Sequence, residues 1–303
     1  MSLPESRLDA VKTPETAFQG IELVDVEKTY GQGARTRTVV RQCSFRIDPG
    51  RFTVMIGPSG AGKSTLIRLI AGFEPPTSGE IRVGGRPVRG PGKDRQVMFQ
   101  ETALFPWMTT AANVSYGPKA RGEFGPEALR LADALTARMG LERFRGMYPA
   151  QLSGGMQRRA ELARAMMNDP SVMILDEPFR GLDSMTKRLM LEYYATYGEA
   201  SQRTNFFVTT DVDEAIFLAD RVLVMTHIPT RVRAVVEIDL PRPRRLAALV
   251  DDERANALKA ELLAMLHVVA ARAFAAGGKE TADFVEAYRR HHSSPPSATR
   301  DGS

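Results

Sequence analysis

The sequence contains very little cysteine and no long apolar run. Cys43 is the single cysteine among 303 residues, which excludes an internal disulfide and a cysteine-based metal cluster. No uncharged apolar stretch approaches the roughly 18 residues that a membrane-spanning helix needs. The N-terminus carries Glu5 and Asp9 and lacks an apolar segment, so it does not resemble a secretion signal. We therefore expect a cytosolic protein without a membrane span of its own.

The composition is that of an ordinary soluble protein, with 43% hydrophobic and 25% charged residues. A chain of 303 residues is long enough for one large domain and an appendage. The net charge of +5 could indicate nucleic acid or an anionic membrane surface as a partner. The basic residues are scattered rather than grouped in blocks, so we give that indication little weight.

Strand and helix patterns alternate along most of the chain. Residues 1–18 have no clear period and are interpreted as a loose tail. Apolar runs such as FTVMI, SVMILD and RVLVM predict strands, and helical stretches fall between most of them. Alternation of this kind predicts an α/β fold with a parallel, helix-covered sheet, and the strand-rich beginning predicts an additional antiparallel sheet. Residues 246–303 are expected to form a helical extension that ends in a disordered tail.

The stretch GPSGAGKST, residues 57–65, predicts a phosphate-binding loop. It fits G-x-x-x-x-G-K-[ST] and lies between a predicted strand and a predicted helix. Glycines let the backbone N–H groups converge on phosphate oxygens, and the N-terminus of the following helix also favours an anion. Lys63 is expected to reach the β- and γ-phosphates, and the Ser64 hydroxyl to ligate Mg²⁺. The predicted nucleotide-binding residues here are Gly57, Ser59, Gly60, Ala61, Gly62, Lys63, Ser64 and Thr65.

The stretch SVMILDEP, residues 171–178, is an apolar strand that ends in two carboxylates. Acidic residues at the C-terminal end of a parallel strand suit a nucleotide site. Asp176 is predicted to hold Mg²⁺ and Glu177 to polarise an attacking water as general base. An N-cap role for the two acids is the alternative, and the phosphate loop makes it the weaker one.

QLSGGMQRRAELARAM, residues 151–166, resembles the signature motif of the ATP-binding cassette (ABC) ATPases. Ser153, Gly154, Gly155 and Gln157 match the motif. A serine and two glycines at a helix N-terminus form a second anion-binding surface, which implies a partner subunit. In the family, two domains pair head to tail, so that each signature closes on the nucleotide of the other.

The resemblance covers about residues 20–240, and it implies a P-loop NTPase fold of the ABC type. That fold has a mixed parallel core sheet, an antiparallel β subdomain and a helical signature subdomain. The predicted boundaries are 19–245 for the ATPase domain, with the helical subdomain at about 101–168. The implied cofactors are ATP and Mg²⁺.

Three further residues match family positions. Tyr30, in VEKTYG, matches the family's aromatic platform for adenine. Gln100, in VMFQETALFPW, matches the family's glutamine that joins Mg²⁺ and the attacking water to a segment that touches the membrane partner. Asp183 matches the loop that crosses the dimer interface, although Gly181 stands where the family usually has alanine. LFPWMT, residues 104–109, and Met156 are similar to importers of the nitrate, sulfonate and taurine group.

Thr210 departs from the family. The strand after Glu177 usually ends in Val-Thr-His-Asp, and the histidine contacts the γ-phosphate, whereas here the stretch is VTTD, residues 208–211. Threonine is shorter, neutral and not basic. Losing one transition-state donor can cost about 10²- to 10³-fold in rate. Glu177 alone could sustain slow turnover, which we prefer; the chain could instead supply a degenerate site to a different partner, or bind ATP without hydrolysing it.

The resemblance implies the ATP-hydrolysing subunit of an ABC importer of a small solute, on the cytosolic face of the membrane. The expected partners are transmembrane permease subunits, a second ATP-binding subunit in a homodimer or heterodimer, and an extracytoplasmic solute-binding protein, with no nucleic acid. A soluble ABC ATPase acting on nucleic acid is one alternative. A non-hydrolysing regulatory subunit, which Thr210 favours, is the other.

Overall fold

The computed structural model describes residues 20–201 and 203–276. The predicted tail at 1–18 and the predicted disordered end of the chain lie outside the described residues. Two sheets and the helices around them form the fold.

The smaller sheet has four antiparallel strands in the order β2-β1-β4-β5. Their inward side chains, which include Ile21, Val40 and Ile81, pack on helix α1 and on one face of the larger sheet. The strands are β1 (Ile21–Tyr30), β2 (Arg37–Ile47), β4 (Ser78–Val83) and β5 (Arg86–Pro87).

The larger sheet has six strands in the order β10-β9-β3-β8-β7-β6. Every neighbouring pair is parallel except β9 and β10. All residues of the neighbouring strands β3, β8 and β7 are buried, which explains the apolar run at the centre of each strand. The strands are β3 (Phe52–Ile56), β6 (Arg95–Met98), β7 (Val172–Asp176), β8 (Thr204–Thr209), β9 (Arg221–Met225) and β10 (Val232–Glu237).

Helices cover both faces of the larger sheet and also form a separate layer between β6 and β7. That layer contains α2 (Thr110–Val114), α3 (Tyr116–Ala120), α4 (Pro126–Arg138) and α5 (Gly154–Met167). The remaining helices are α1 (Lys63–Ala71), α6 (Ser184–Ser201), α7 (Val212–Leu218), α8 (Leu246–Leu249) and α9 (Glu253–Ala276). Within the described residues, no helix combines the length and the apolar character needed to cross a bilayer.

Helix α9 packs on α7 and β9 rather than projecting from the domain. Ala255, Leu262 and Val269 recur at a spacing of seven residues and are all buried. This stripe forms the buried face of the helix.

Candidate functional site

Three predicted motifs meet at one edge of the larger sheet. Strands β3, β8 and β7 are neighbours, and Ile56 pairs with Thr209 while Asp176 pairs with Val208. The residues that follow these strands therefore lie side by side at the C-terminal edge, where ligands bind in open parallel sheets.

The phosphate loop curls tightly between β3 and α1. Gly62 has φ +81°, and a Cβ there would lie 2.5 Å from the Thr230 hydroxyl oxygen, so glycine is required on both counts. The Lys63 ammonium is buried and donates to the carbonyl oxygens of Gly57 (2.8 Å) and Pro58 (2.9 Å). Burial lowers the pKa of Lys63, and the charges of Glu177 and Asp176 oppose that effect. The loop thus holds its lysine folded back over its own backbone.

Ser64 and Asp176 lie in direct contact although they are 112 residues apart in the chain. The serine hydroxyl donates to a carboxylate oxygen of Asp176 at 2.8 Å. Burial is the main reason that the pKa of Asp176 is raised, and the neighbouring Glu177 adds to it, whereas the hydrogen bond from Ser64 acts in the opposite direction. Two oxygen-bearing groups that could ligate a metal ion, one from each motif, therefore lie together.

Glu177 has a strained backbone at the end of β7. Its φ is +43°, in the left-handed region that non-glycine residues rarely adopt, and its N–H donates to the Val208 carbonyl at 2.8 Å. Its carboxylate forms an ion pair with Arg180 at 3.0 Å. Such outliers persist where the surrounding structure enforces them, often at functional sites.

Thr210 is exposed and follows β8, between the loop after β3 and the acids after β7. The next residue, Asp211, caps α7 by accepting from the N–H groups of Asp213 and Glu214. Lys187 on α6 pairs with both Asp211 and Glu214 at 2.7 Å. Burial alone would raise the pKa of Asp211, but the hydrogen bond and charge of Lys187 outweigh it and the pKa is lowered.

A cavity of about 450 Å³ lies in front of these groups. It is lined by most of the phosphate loop together with Gln100, Asp176, Glu177 and Arg180. Thr210 does not line it. Neither His227 nor His267, the two histidines in the described part of the chain, lines it either.

Tyr30 lies at the end of β1, outside the lining of the cavity. Its hydroxyl donates to Glu74 at 2.6 Å, and the Lys28 ammonium lies 5.0 Å from the centre of its ring. Burial and Glu74 together raise the pKa of Tyr30. The adenine platform predicted at Tyr30 stays a prediction.

The signature residues do not line this cavity. Ser153 caps α5 by accepting from the Met156 N–H at 3.3 Å, and a Cβ at Gly154 would meet nothing within 4 Å. The Gln157 carboxamide donates to the carbonyls of Pro149 and Leu152, so it supports the turn that precedes the helix.

The loop before α6 lies against the signature. A Cβ at Gly155 would be 3.3 Å from Leu182, and the exposed Asp183 accepts from the Thr186 N–H at 2.9 Å. The described residues therefore present the signature and Asp183 on one surface, distinct from the cavity of the same chain.

Comparisons with known proteins agree with this geometry. The family model described as "ABC transporter" matches residues 40–180. An uncharacterised ABC transporter ATP-binding protein of Methanocaldococcus jannaschii is 38% identical over 236 residues, which cover 78% of this chain and 88% of that protein.

The chain belongs to the ABC transporter ATP-binding proteins.

Two other relatives are import proteins by name. The nitrate import ATP-binding protein NrtD of Synechocystis is 40% identical over 221 residues, covering 73% of this chain and 83% of that protein. The aliphatic sulfonates import ATP-binding protein SsuB of Bacillus licheniformis is 35% identical over 218 residues, covering 72% of this chain and 84% of that protein.

The fold is that of an ABC cassette in solved structures. A dimeric cassette, MJ0796, in a post-hydrolysis state bound to ADP and phosphate has a TM-score of 0.66 and 28% identity to this chain. The match covers 73% of this chain and all of the other. The prediction of a P-loop ABC ATPase fold is confirmed.

The segment after Gln100 in this ABC ATPase carries an aromatic cluster. The ring of Phe105 lies 5.5 Å from that of Trp107 and 4.6 Å from that of Tyr116, centre to centre. Trp107 is 69% exposed. Asn113 fixes the segment by accepting from the Phe105 N–H and donating to its carbonyl.

Arg158 connects the signature helix to the rest of the ABC site. Its buried guanidinium donates to the carbonyls of Phe99, Asp176 and Pro178, which belong to the segment before Gln100 and to the end of β7. It also pairs with the buried Glu161 at 2.9 Å.

Arg158 and Arg180 were missed by the sequence analysis. Arg180 stands two residues after Pro178 and reaches back to Glu177, so its proximity in the chain was an available signal. Arg158 lies within the signature stretch, but its contacts depend on packing between α5 and β7, which the local sequence does not show.

Proposed function

We propose that this ABC ATPase energises the import of a small solute, of the nitrate, sulfonate or taurine class, through a separate permease. The observation that carries the proposal is the cavity in which Lys63, Gln100 and Glu177 meet. Support for the solute class comes from the relatives named for nitrate and sulfonate import. The chain would act at the cytosolic face of the membrane, with a solute-binding protein delivering the compound on the other side.

ATP is proposed to bind with its phosphates against the loop of residues 57–65. The amides and Lys63 would neutralise the phosphate charge, and the lysine would exchange its contacts with the loop carbonyls for phosphate oxygens. Tyr30 would stack on adenine.

Mg²⁺ fits the residues present. Ser64 and Asp176 offer oxygen ligands already 2.8 Å apart, and Gln100 lines the same cavity. Among the described residues there is no group of three or more His, Cys, Asp or Glu that could hold a metal alone. That pattern suits Mg²⁺, which typically takes one or two protein ligands plus phosphate oxygens and water. The ion would offset the charge of the transferred phosphoryl group.

Glu177 is proposed to accept the proton of the attacking water. Glu177 lines the cavity, and its carboxylate is held by the ion pair with Arg180. Phosphoryl transfer depends mainly on positioning and charge neutralisation, so slow turnover is expected although Thr210 replaces the usual histidine.

A second copy, or a related subunit, is proposed to complete each site. Ser153, Gly154, Gly155, Gln157 and Asp183 would meet the nucleotide or the interface of the partner, because they do not line the cavity of this chain. The exposed Trp107 cluster would contact the permease, since exposed aromatic patches mark interaction sites.

The test is affinity purification of the tagged chain from detergent-solubilised membranes of its source cells, identification of the membrane proteins that co-purify, and measurement of phosphate release. We expect co-purification and magnesium-dependent turnover. Trp107→Ala should release the permease while ATP binding persists, and Phe73→Ala, which removes an exposed ring elsewhere, is the matched control. Recovery of the chain without any membrane protein would contradict the proposal.

A degenerate, ATP-binding regulatory subunit is the second candidate, and Thr210 is the observation that favours it. This second candidate predicts that the chain, together with its permease, binds ATP tightly and releases no phosphate.

A further inference from the structure

A second cavity, of about 310 Å³, lies where β2, the β9–β10 connection and α9 meet. Four arginines line it: Arg41 from β2, Arg231 from the residue before β10, Arg233 from β10, and Arg272 from α9. These residues are scattered along the sequence and are brought together by the fold.

The cationic groups of this cavity have no acidic partner within the described ranges 20–201 and 203–276. No aspartate or glutamate lines the cavity, and none of the four guanidinium groups forms an ion pair there. Other arginines of the protein do pair; Arg242, for example, contacts both Glu199 and Asp220. A concave surface with one sign of charge concentrates the opposite ion.

The scaffold of the cavity is held by hydrogen bonds and packing. The Arg41 N–H donates to the Thr230 carbonyl at 3.1 Å, and the Thr226 N–H donates to the Arg231 carbonyl at 2.9 Å. Val269 is 2% exposed, so α9 is anchored one turn before Arg272. The arginines therefore extend from fixed backbone positions, which lowers the ordering cost of binding.

We propose that this arginine-lined cavity binds a small oxyanion that carries a phosphate, sulfate or sulfonate group. The guanidinium fork matches such oxygens in bidentate geometry. The volume is at the low end of the range for small-molecule sites, about 300 to 1,000 Å³. Ile228, Pro229 and Val269 supply an apolar wall that suits a small organic substituent on the anion.

The proposed oxyanion site and the nucleotide cavity are two different cavities that share one lining residue. Ile228 lines both cavities, and the Thr230 hydroxyl donates to the Ala61 carbonyl within the loop. A binding experiment must therefore fill the phosphate loop before it measures the second site.

The test uses the full chain saturated with a non-hydrolysable ATP analogue, titrated calorimetrically with sodium sulfate at constant ionic strength. We expect one sulfate per chain. Arg41→Gln combined with Arg272→Gln should weaken sulfate binding at least about tenfold, because each removes a charged hydrogen-bond donor. Arg130→Gln combined with Arg143→Gln removes the same charge from exposed arginines outside the cavity and should change it less than about twofold.

The same titrations report analogue binding and thermal unfolding, so a misfolded variant or a failure to bind nucleotide is recognised separately. Absence of sulfate binding to the unmodified chain would overturn the proposal, as would equal weakening by the two double variants. Sedimentation with phosphatidylglycerol vesicles distinguishes the source of the oxyanion. Arginine-dependent binding to vesicles without any binding of free sulfate would also overturn it.

Discussion

The two sides of the nucleotide cavity differ in how closely they follow the ABC pattern. On the loop side, Lys63 is buried and Ser64 contacts Asp176. On the opposite side, Glu177 is paired with Arg180, and Thr210 stands outside the lining. Under the proposed function, nucleotide binding and hydrolysis would therefore depend on different groups, so that one could weaken while the other persists.

The largest expected effect comes from Glu177→Gln. Removing the proposed general base should lower phosphate release by about 10²-fold or more, because general-base catalysis contributes about 10²- to 10⁴-fold. ATP affinity should change little. Phosphate release and equilibrium nucleotide binding are the measurements, and Glu192→Gln on the surface of α6 is the control. Unchanged turnover would show that Glu177 is not the base.

Thr210→His should raise turnover by about tenfold or more, because it restores a transition-state donor beside Glu177. Single-turnover hydrolysis at saturating ATP measures the gain. Thr210→Val, of similar shape without a donor, should show no rise. A histidine variant no faster than the parent would mean that another group already fills the role.

Lys63→Ala should weaken ATP binding at least about tenfold, since it removes a charged donor to the phosphates. Titration with a fluorescent ATP analogue measures the loss. Lys119→Ala, a substitution of a lysine on α3, is the control. Equal ATP affinity in the two variants would show that the Lys63 side of the cavity is not the side that binds the nucleotide.

Arg180→Ala should lower turnover only a few-fold, because Arg180 orients the Glu177 carboxylate without replacing it. Combined with Thr210→His, the loss should shrink, since both side chains act on the same base. A double-mutant cycle on phosphate release measures this coupling. Strict additivity would assign the two residues independent roles.

Lys187→Met should destabilise the fold by about 1–3 kcal/mol at pH 7, because it leaves the buried Glu214 without its cation. Burial raises the pKa of Glu214, so this carboxylate is largely neutral by pH 4 and its pair with Lys187 is lost there. The pKa of Asp211 is lowered, so its pair with Lys187 is lost only as pH falls below the ordinary aspartate pKa. Urea unfolding at pH 7 and pH 4 should show the difference between variant and parent shrinking. A constant difference would exclude the ion pairs as its source.

The motifs that the sequence analysis found are those contained in short contiguous stretches. The phosphate loop and the two acids of β7 can be recognised locally because strand, turn and helix follow within a few residues. Strand β10 was missed, because its exposed Arg233 and Val235 weaken the apolar pattern at the sheet edge. The arginine-lined cavity was missed for another reason: its residues are up to 231 positions apart, from Arg41 to Arg272, and scattered charge carries no local signal.

The contacts of Arg158 join the signature helix to the strand that ends in the two acids. A tilt of α5 large enough to separate the two would have to break several hydrogen bonds of a single buried guanidinium at once. Under the proposed function, a displacement of the segment at Phe99 would pass through this one guanidinium to the peptide groups of Asp176 and Glu177.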